Sequence, residues 1–446
     1  MTSFMPAFGS FSFTLFAFVV SLSIIVFVHE YGHYIVGRWS GIHAEVFSVG
    51  LGPVLYSRVD RRGTKWQIAL IPFGGYVKFL GDANIASAPD GSDPSLLQNS
   101  ADVRHTMQGA PLWARSATVA AGPLFNFMLA IAIFSGIALW QGQARDPLSV
   151  GELYSTPYDA NFERGDVFLK VDGVTVPSLE DGQAFSAFLK TLSGKSEHLY
   201  EISRQGDVLQ VKGPGMSPAR VVQIMPRSAA ADARLMQGDV ILAVNTLDIS
   251  NFNDLKQIVE SSQGAELRLK IWREGEIIET TLVPKRVDEQ KPDGQFETAW
   301  RIGIIGGEFF FEPELTTLGV ADAFGFGASQ TWRIMKGSVE GLYYVVTGAI
   351  STCNLSGPIG IAETSGQMAR QGSENFIWFI ALMSAAIGMI NLFPIPVLDG
   401  GHLMFFAYEA VARRPPAPAF LNAVMYLGFA VILSFMSFAL INDVLC

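Results

Sequence analysis

Four long apolar stretches interrupt the otherwise mixed pattern of polar and hydrophobic residues. They cover about residues 11–36, 113–140, 376–396 and 419–441. A helix needs about 20 apolar residues to cross the hydrocarbon core of a bilayer, and each stretch is long enough. The pattern predicts a polytopic α-helical membrane protein with four transmembrane helices. Two of them belong to an N-terminal membrane half (1–141) and two to a C-terminal membrane half (375–446).

Basic residues predict the side of the membrane on which each loop lies, because cytoplasmic loops are enriched in lysine and arginine. The prediction rests on the basic residues of the first and last loops. They are Arg38, Arg58, Arg61, Arg62, Lys65, Lys78, Arg104 and Arg115 in the first loop, and Arg413 and Arg414 in the last. We therefore expect both of these loops in the cytoplasm, and both termini with residues 142–375 on the outer side.

The first basic loop contains a short β pattern. Residues 66–80 read WQIALIPFGGYVKFL, in which two strand-like runs flank turn residues at 72–75. This predicts a hairpin, which either inserts into the membrane face or lies in the cytoplasm as an ordinary hairpin. Residues 82–111 are polar and rich in Asp, Ser, Ala and Pro, which predicts a flexible cytoplasmic loop.

The large outer segment contains an internal repeat. Residues 163–174 read ERGDVFLKVDGV and residues 236–247 read MQGDVILAVNTL. A helical stretch and then a pair of strands follow each run. The repeated order predicts two similar small α+β modules, at 142–215 and 216–290.

Residues 291–374 are predicted to form a linker and an amphipathic segment. Apolar and polar residues alternate irregularly between about 314 and 350. A helix on the membrane surface accounts for this pattern, and so does a helix packed on the modules. The sequence leaves both interpretations open.

Composition agrees with a membrane protein that has a substantial soluble part. Hydrophobic residues make up 49% and charged residues 16%, and the mean hydropathy is +0.30. The net charge of −10 argues against a nucleic-acid partner, which would favour a basic face. Cys353 and Cys446 are too few for a disulfide scaffold or a cysteine-type zinc site. The first apolar stretch lacks the basic n-region of a signal peptide, so we expect it to be retained.

The most specific motif, His29-Glu30-Tyr31-Gly32-His33, stands at the end of the first apolar stretch. Positions i and i+4 lie on one face of a helix, so both imidazoles can bind one metal ion with Glu30 beside it as a general base. Ionisable side chains at membrane depth are costly unless they are paired or bound to a ligand. The motif therefore predicts zinc-dependent proteolysis within the membrane.

A catalytic zinc ion usually has a third protein ligand, which must lie at the same membrane depth. Asp399 and His402 both qualify, because both precede the basic pair at 413–414 near the predicted cytoplasmic boundary. A carboxylate oxygen and an imidazole nitrogen are both acceptable ligands. Residue chemistry favours Asp399 and leaves His402 as a competitor.

Several motifs, in chain order, resemble the site-2 protease family of intramembrane zinc metalloproteases. They are HEYGH at 29–33, PFGGYVKF at 72–79, AGPLFNF at 121–127, SGPIG at 356–360 and NLFPIPVLDGGH at 391–402. HExxH alone occurs in many zinc proteases, whereas HExxH with NxxPxPxLDGG in a separate span is specific to this family. The resemblance implies Zn2+ held by His29, His33 and Asp399, with Glu30 as the base, and it favours Asp399 over His402.

The resemblance also implies how a substrate is held. The PFGGYVKF segment is implied to form a membrane-associated β-loop to which the substrate adds a strand. Its central residues are Gly74, Gly75, Tyr76 and Val77. Asn391 is implied to hold substrate near the zinc, and a capping or packing role is the alternative. Asn126, in the family's GxxxN pattern with Gly122, is either a packing residue or a polar group on the substrate side.

Both outer modules resemble PDZ domains of the bacterial circularly permuted type. The second has MPRSAA at 225–230 where a carboxylate-binding loop is expected, which predicts capture of a peptide C-terminus. The first has TPYD at 156–159 and lacks an obvious loop signature. We expect the first module to act as a scaffold or a steric element.

The resemblance implies a function. The expected protein is a zinc metalloendopeptidase of the bacterial cytoplasmic (inner) membrane that cuts the transmembrane segment of a single-pass substrate. The implied substrate is a pre-trimmed anti-sigma factor in envelope-stress signalling, and leftover signal peptides form a second class. Two alternatives remain at this point: a membrane-anchored zincin that cuts soluble proteins, and a non-enzymatic PDZ scaffold with a structural metal.

Overall fold

Four apolar helices dominate the computed structural model, which describes residues 4–81, 103–158, 160–179, 181–192, 195, 197–225, 227–290, 296–348 and 357–445. The segments long and apolar enough to cross a membrane are Phe11–Trp39, Leu112–Gln141, Ser373–Asn391 and Pro418–Asp443. The prediction of four apolar helices is confirmed. The third helix ends five residues earlier than expected, because Pro394 and Pro396 cannot continue it.

Two compact units divide the chain. The first contains Met1–Ile137, Val320–Gly348 and Leu355–Cys446, and the second is built on Ala138–Gly319. Parts of several predictions lie outside the described residues. They concern the cytoplasmic loop at 82–102, the loop residues Asp159, Pro226 and Ser356, and both cysteines.

The first unit begins with helix α1 (Phe4–Trp39), strands β1 (Ala44–Val59) and β2 (Lys65–Phe79), and helix α2 (Leu112–Gln141). The strands pair antiparallel, and Phe47 of β1 is opposite both Val77 and Trp66. The two runs predicted to form a hairpin at 66–80 therefore pair with β1 rather than with each other. The predicted turn is the place where β2 reverses, and Gly74 has a φ of 116° there.

The second unit contains two modules with the same topology. Its elements are β3 (Gln143–Ala144), β4 (Val150–Leu153), β5 (Val167–Val171), β6 (Val174–Thr175), α3 (Gly182–Thr191), β7 (Glu197–Arg204), β8 (Asp207–Pro214), β9 (Gln223–Ile224), α4 (Ala229–Asp232), β10 (Val240–Val244), β11 (Leu247–Asp248), α5 (Phe252–Ser261), β12 (Leu267–Arg273), β13 (Glu276–Leu282), β14 (Lys285–Gln290), β15 (Phe296–Arg301), β16 (Ile304–Ile305), β17 (Phe311–Pro313) and β18 (Leu315–Thr316). The strand orders β6-β5-β7-β8 and β11-β10-β12-β13 are equivalent. The predicted repeat is therefore a structural repeat.

The Gly-Asp dipeptides of the repeat have the same structural role in both modules. Asp166 and Asp239 are fully buried, and each carboxylate accepts one backbone N–H and two guanidinium N–H bonds of 2.7–2.8 Å. The donors are Glu163 and Arg204 for Asp166, and Met236 and Arg273 for Asp239. Each aspartate thereby fixes the turn that leads into a central strand.

The end of the second unit returns to both modules instead of forming a linker. Ile304 pairs with Ile224 of the second module, and Phe311 pairs with Leu153 of the first. The core of the first module is largely aromatic and includes Phe310 and Phe311, whereas the core of the second is aliphatic. The predicted boundaries at 215 and 290 missed these closing strands, because their partners are distant in sequence.

The first unit ends with five helices: α6 (Val320–Val346), α7 (Pro358–Arg370), α8 (Ser373–Asn391), α9 (Asp399–Ala412) and α10 (Pro418–Leu445). The amphipathic segment is helix α6. A Cβ at Gly327 would lie 2.6 Å from the carbonyl oxygen of Ile131, so α6 packs on α2. Asp443 accepts backbone N–H bonds from Gly357, Ile359 and Gly360 and so caps helix α7.

Candidate metal centre

Three side chains from two distant parts of the chain meet at one point. The Nε2 atoms of His29 and His33 on α1 are 3.2 Å apart. Oδ2 of Asp399, the first residue of α9, lies 3.1 Å from His29 Nε2 and 3.4 Å from His33 Nε2. Among the described residues, this is the group of His, Cys, Asp and Glu side chains arranged to hold a metal ion.

The three atoms fit the ligand set of a tetrahedral zinc ion. Zn–N and Zn–O bonds of about 2.0–2.1 Å at tetrahedral angles separate neighbouring ligand atoms by about 3.3 Å. The three observed separations are 3.1, 3.2 and 3.4 Å. Asp399 Oδ2 is also buried without a hydrogen-bond donor from the described residues, as expected for an atom that faces a cation.

The ring of His33 has the tautomer that metal binding requires. Its Nδ1 lies 2.9 Å from the carbonyl oxygen of Thr118, which can only accept a hydrogen bond. Nδ1 must therefore carry a proton, so in the neutral ring the lone pair of Nε2 faces Asp399. A backbone carbonyl commonly orients a metal-binding histidine in this way.

Asn126 of helix α2 contacts Nδ1 of His29, as the Thr118 carbonyl contacts Nδ1 of His33. Its side-chain amide is 3.2 Å from His29 Nδ1, and the residue is completely buried. As oriented, the amide nitrogen faces the ring, and Oδ1 has no partner among the described residues. Exchanging the two amide atoms would let Oδ1 accept from Nδ1–H, and amide orientation is always assigned from such networks. Asn126 therefore contacts a candidate ligand, which goes beyond simple packing.

Glycines allow helices α1 and α2 to approach closely at this centre. A Cβ at Gly122 would lie 2.3 Å from His33 Nε2 and 2.8 Å from His29 Cε1. A Cβ at Gly32 would lie 2.6 Å from the carbonyl oxygen of Ala121. Both positions therefore exclude any larger residue.

The NLFPIPVLDGGH segment positions Asp399 by folding back on itself. Cβ atoms at Gly400 and Gly401 would lie 2.3 Å from the carbonyl oxygens of Leu392 and Ile395. The prolines end helix α8, and the glycines let helix α9 start against the connecting turn. A bidentate pair between Arg115 and Glu409, with distances of 2.6 and 3.0 Å, ties α9 to α2.

The centre opens into a cavity of about 420 Å³. Four predicted site residues outside the ligand set line it, namely Gly75, Tyr76, Val77 and Asn391, and so does Glu30. A Cβ at Gly75 would lie 3.1 Å from Glu30 Cγ. Strand β2 therefore runs directly past this carboxylate.

Two predicted residues have other surroundings. Gly74 does not line the cavity but stands at the reversal of β2, where a Cβ would lie 3.3 Å from Leu51 Cδ1. His402 lines the cavity but is not part of the ligand-like group. Sequence reasoning missed Thr118 and the Arg115–Glu409 pair. For Thr118 no signal was available, because only its backbone oxygen takes part.

The predicted carboxylate-binding loop of the second module is packed against a neighbouring strand region. The backbone N–H groups of Met225 and Ala230 donate to the carbonyl oxygens of Gly303 and Ile302. The Ser228 hydroxyl accepts from Ala231 N–H and caps helix α4. Two amides of this loop are thus already used within the module.

Comparison with known proteins agrees with this geometry. Residues 17–435 match the model of Peptidase family M50, the site-2 protease family, and the chain belongs to it. The chain is 31% identical to the Regulator of sigma-E protease RseP of Escherichia coli (strain K12), over 97% of this chain and 99% of that protein. It is also 31% identical to Protease RseP of Yersinia pestis, over 96% and 98%. A Rhizobium meliloti (strain 1021) protein with a zinc-metalloprotease name is 35% identical, over 97% and 96%.

The family defines the class of enzyme. The chain is a zinc metalloprotease of the site-2 type, and its cofactor is Zn2+. Four apolar helices and a match over nearly the whole length identify it as an intramembrane protease. The chain is therefore an enzyme, and the alternative of a non-enzymatic PDZ scaffold is excluded.

Proposed function

We propose that the enzyme hydrolyses a peptide bond within the transmembrane segment of a single-pass membrane protein. The observation that carries this proposal is the convergence of His29, His33 and Asp399 beside Glu30, at the end of a membrane-spanning helix. A zincin that cuts soluble proteins would have its HExxH motif outside the apolar helix.

In this proposal His29, His33 and Asp399 hold Zn2+. When bound, the ion would supply an activated water by lowering its pKa to about 7, and it would polarise the scissile carbonyl. Glu30 removes the proton from the attacking water and returns it to the leaving amine. Thr118 would keep the His33 ring in the metal-binding tautomer, and Asn126, with its amide atoms exchanged, would do the same for His29.

We propose that the substrate binds to strand β2 as an added strand. A helical substrate hides its carbonyl groups in hydrogen bonds to residue i+4, so it must unwind before attack. Residues 75–79 pair with β1 on one side and line the cavity of Glu30 on the other. A strand added on the cavity side would replace the lost helical hydrogen bonds. Gly75, Tyr76 and Val77 supply the backbone, Gly74 allows the reversal, and Asn391 holds the substrate from the opposite wall.

The family relationship supports a cellular role, which we also propose. The E. coli relative is named a regulator of sigma-E protease, and a pre-trimmed anti-sigma factor in envelope-stress signalling is the corresponding substrate. Leftover signal peptides are a second substrate class. The enzyme lies in the bacterial inner membrane as a multi-pass protein, with the metal centre near the cytoplasmic side.

The two modules of the second unit are proposed to be PDZ-like domains on the outer side, where both termini also lie. Their shared topology, and their place in the sequence between the two pairs of apolar helices, support this proposal. The second module would bind a peptide C-terminus exposed by an earlier cut. The first would exclude substrates with bulky outer domains.

A cleavage assay in liposomes tests the proposal. The wild type and a Glu30→Gln variant are compared on a single-span substrate with a short outer tail, with equal zinc content verified for both. The expected result is a cut inside the apolar span that the variant reduces by about 10³-fold or more. A cut in a soluble flank, or equal cutting by both proteins, would overturn it.

A further inference from the structure

The first unit contains a second cavity, separate from the metal centre. Its volume is about 620 Å³, within the range of about 300–1,000 Å³ that small-molecule sites have. Basic side chains line much of it: Arg38 at the end of α1, Arg62 at the turn between β1 and β2, and His43 and His105. None of these residues takes part in the proposed reaction.

No carboxylate of the described residues forms a salt bridge with the arginines at or beside this cavity. Arg38 donates to the Tyr34 hydroxyl, and Arg104 donates one N–H to the carbonyl oxygen of Ser40. Arg104 Nη1 is buried without a partner among the described residues, and a Cβ at Gly41 in the cavity wall would lie 3.6 Å from it. Within the described part of the chain, Arg38, Arg62 and Arg104 have no salt bridge.

The carboxylates nearby are already occupied by other donors. Asp60 Oδ1 accepts the backbone N–H groups of Arg62 and Thr64, at 2.8 and 3.1 Å. Its Oδ2 accepts from Trp66 Nε1 and from the Tyr34 hydroxyl, at 3.2 and 3.4 Å. Glu45 is paired with Lys78. Among the described residues, Arg38, Arg62 and Arg104 therefore outnumber the one nearby carboxylate without a salt bridge, Asp60, and this surplus of positive charge favours an anion.

Exposed tryptophans indicate the depth of the cavity in the membrane. Trp39, which ends α1, is 74% exposed, and Trp113 at the start of α2 is 63% exposed. Tryptophan is enriched where a membrane helix meets the headgroup layer. Arg38 is adjacent to Trp39 in sequence, so the cavity lies at the level of lipid phosphates, whichever side of the membrane faces the cytoplasm.

We propose that this cavity binds a phosphate group, and that its source is the headgroup of an anionic phospholipid. Arg38 and Arg62 bind the phosphate oxygens, because guanidinium groups match phosphate geometry with paired hydrogen bonds. His105 donates Nδ1–H to the carbonyl oxygen of Gly41 at 2.7 Å, which fixes its ring at the cavity wall. A bound lipid would anchor the end of α1 to the sheet of β1 and β2.

Binding measurements on the full-length protein in an uncharged detergent test this. The probes are dioctanoyl phosphatidylglycerol, dioctanoyl phosphatidylcholine and inorganic phosphate, titrated by calorimetry. We expect saturable one-site binding of phosphatidylglycerol. Binding should weaken about tenfold in Arg62→Gln and further in Arg38→Gln/Arg62→Gln. Inorganic phosphate that binds as tightly as the lipid would identify a soluble phosphate compound as the source.

The matched control is Arg58→Gln/Arg61→Gln, which removes the same charge from exposed positions outside the cavity. We expect it to bind phosphatidylglycerol within twofold of the wild type. If binding weakens equally in the control and the cavity variants, the effect comes from general surface charge and not from the cavity. That result, or absence of saturable binding of both the lipid and inorganic phosphate, would overturn the proposal. Arg62→Gln alters only an exposed turn side chain, so misfolding does not confuse the result.

Discussion

Both units contain aspartates with buried carboxylate oxygens, but the hydrogen-bond partners of these oxygens differ between the two units. In the second unit, both oxygens of Asp239 are matched by donors from Arg273 and Met236. In the first unit, Asp399 Oδ2 faces two imidazole Nε2 atoms and has no donor among the described residues. Asp239 is fully buried, whereas the Asp399 side chain is 18% exposed, although its Oδ2 is buried. Both residues lie at the start of a structural element.

The difference separates a structural site from a functional one. A buried carboxylate with all its hydrogen bonds made contributes to folding, and removal of one partner is strongly destabilising. With neutral imidazoles, three convergent lone pairs repel one another, and a bound cation removes this repulsion. Loss of a member should therefore affect metal binding and catalysis in the first unit, and folding in the second.

The largest effect is expected for Asp399→Asn. An amide is a weaker zinc ligand than a carboxylate, so zinc content should fall, and proteolysis should fall about 10³-fold or more. Removal of zinc from the wild type with a chelator should reproduce the loss. Asp322→Asn, at an exposed position on α6, is the control and should keep both properties. Full activity in a zinc-free Asp399→Asn protein would contradict the assignment.

Asp239→Asn should instead destabilise the second module of the second unit. The loss of charge leaves Arg273 without its full partner and should lower the free energy of unfolding of this module by about 2 kcal/mol. Hydrogen exchange measures this as a roughly 30-fold loss of protection at residues 267–273. Exposed Asp248→Asn is the matched control. Unchanged protection, or loss of zinc in the Asp239 variant, would remove the distinction between the two clusters.

A smaller loss of zinc binding than that of Asp399→Asn is expected at Asn126, which contacts His29 without being a candidate ligand itself. Asn126→Leu removes the hydrogen bond to His29 but leaves all three candidate ligands in place. It should weaken zinc affinity about 10- to 100-fold. Asn126→Asp keeps an acceptor and should retain most of the affinity. Competition with a chromogenic chelator measures both. If Asn126 only packs, both variants will change thermal stability while zinc affinity stays equal to that of the wild type.

The sequence predicted those features that depend on local pattern. Length and hydropathy were sufficient for the four apolar helices, and the spacing of HEYGH was sufficient to bring His29 and His33 to one face. The repeated Gly-Asp pattern predicted two modules because each copy makes the same local turn. Asp399 required the family resemblance, since His402 satisfies the same local criteria.

Features that depend on distant contacts were missed. Strand β1 was not predicted, because Gly50, Gly52 and Pro53 interrupt its alternation where the chain reverses. Helices α7 and α9 are short and follow segments rich in glycine and proline. The closing strand at 311–313 has meaning only beside Leu153, more than 150 residues earlier. None of these partners is visible in a window of neighbouring residues.

The contact between Gly75 and Glu30 has a consequence for selectivity. A Cβ at Gly75 would lie 2.8 Å from the carbonyl oxygen of Ser48 and 2.9 Å from Val26 Cγ1, so the strand carries no side chain there. A chain aligned along it would meet the carboxylate through main-chain atoms. Under the proposed strand addition, the enzyme would select the register of the substrate more than the residues at the cut. The ease with which a substrate segment loses its helix would then contribute to selection.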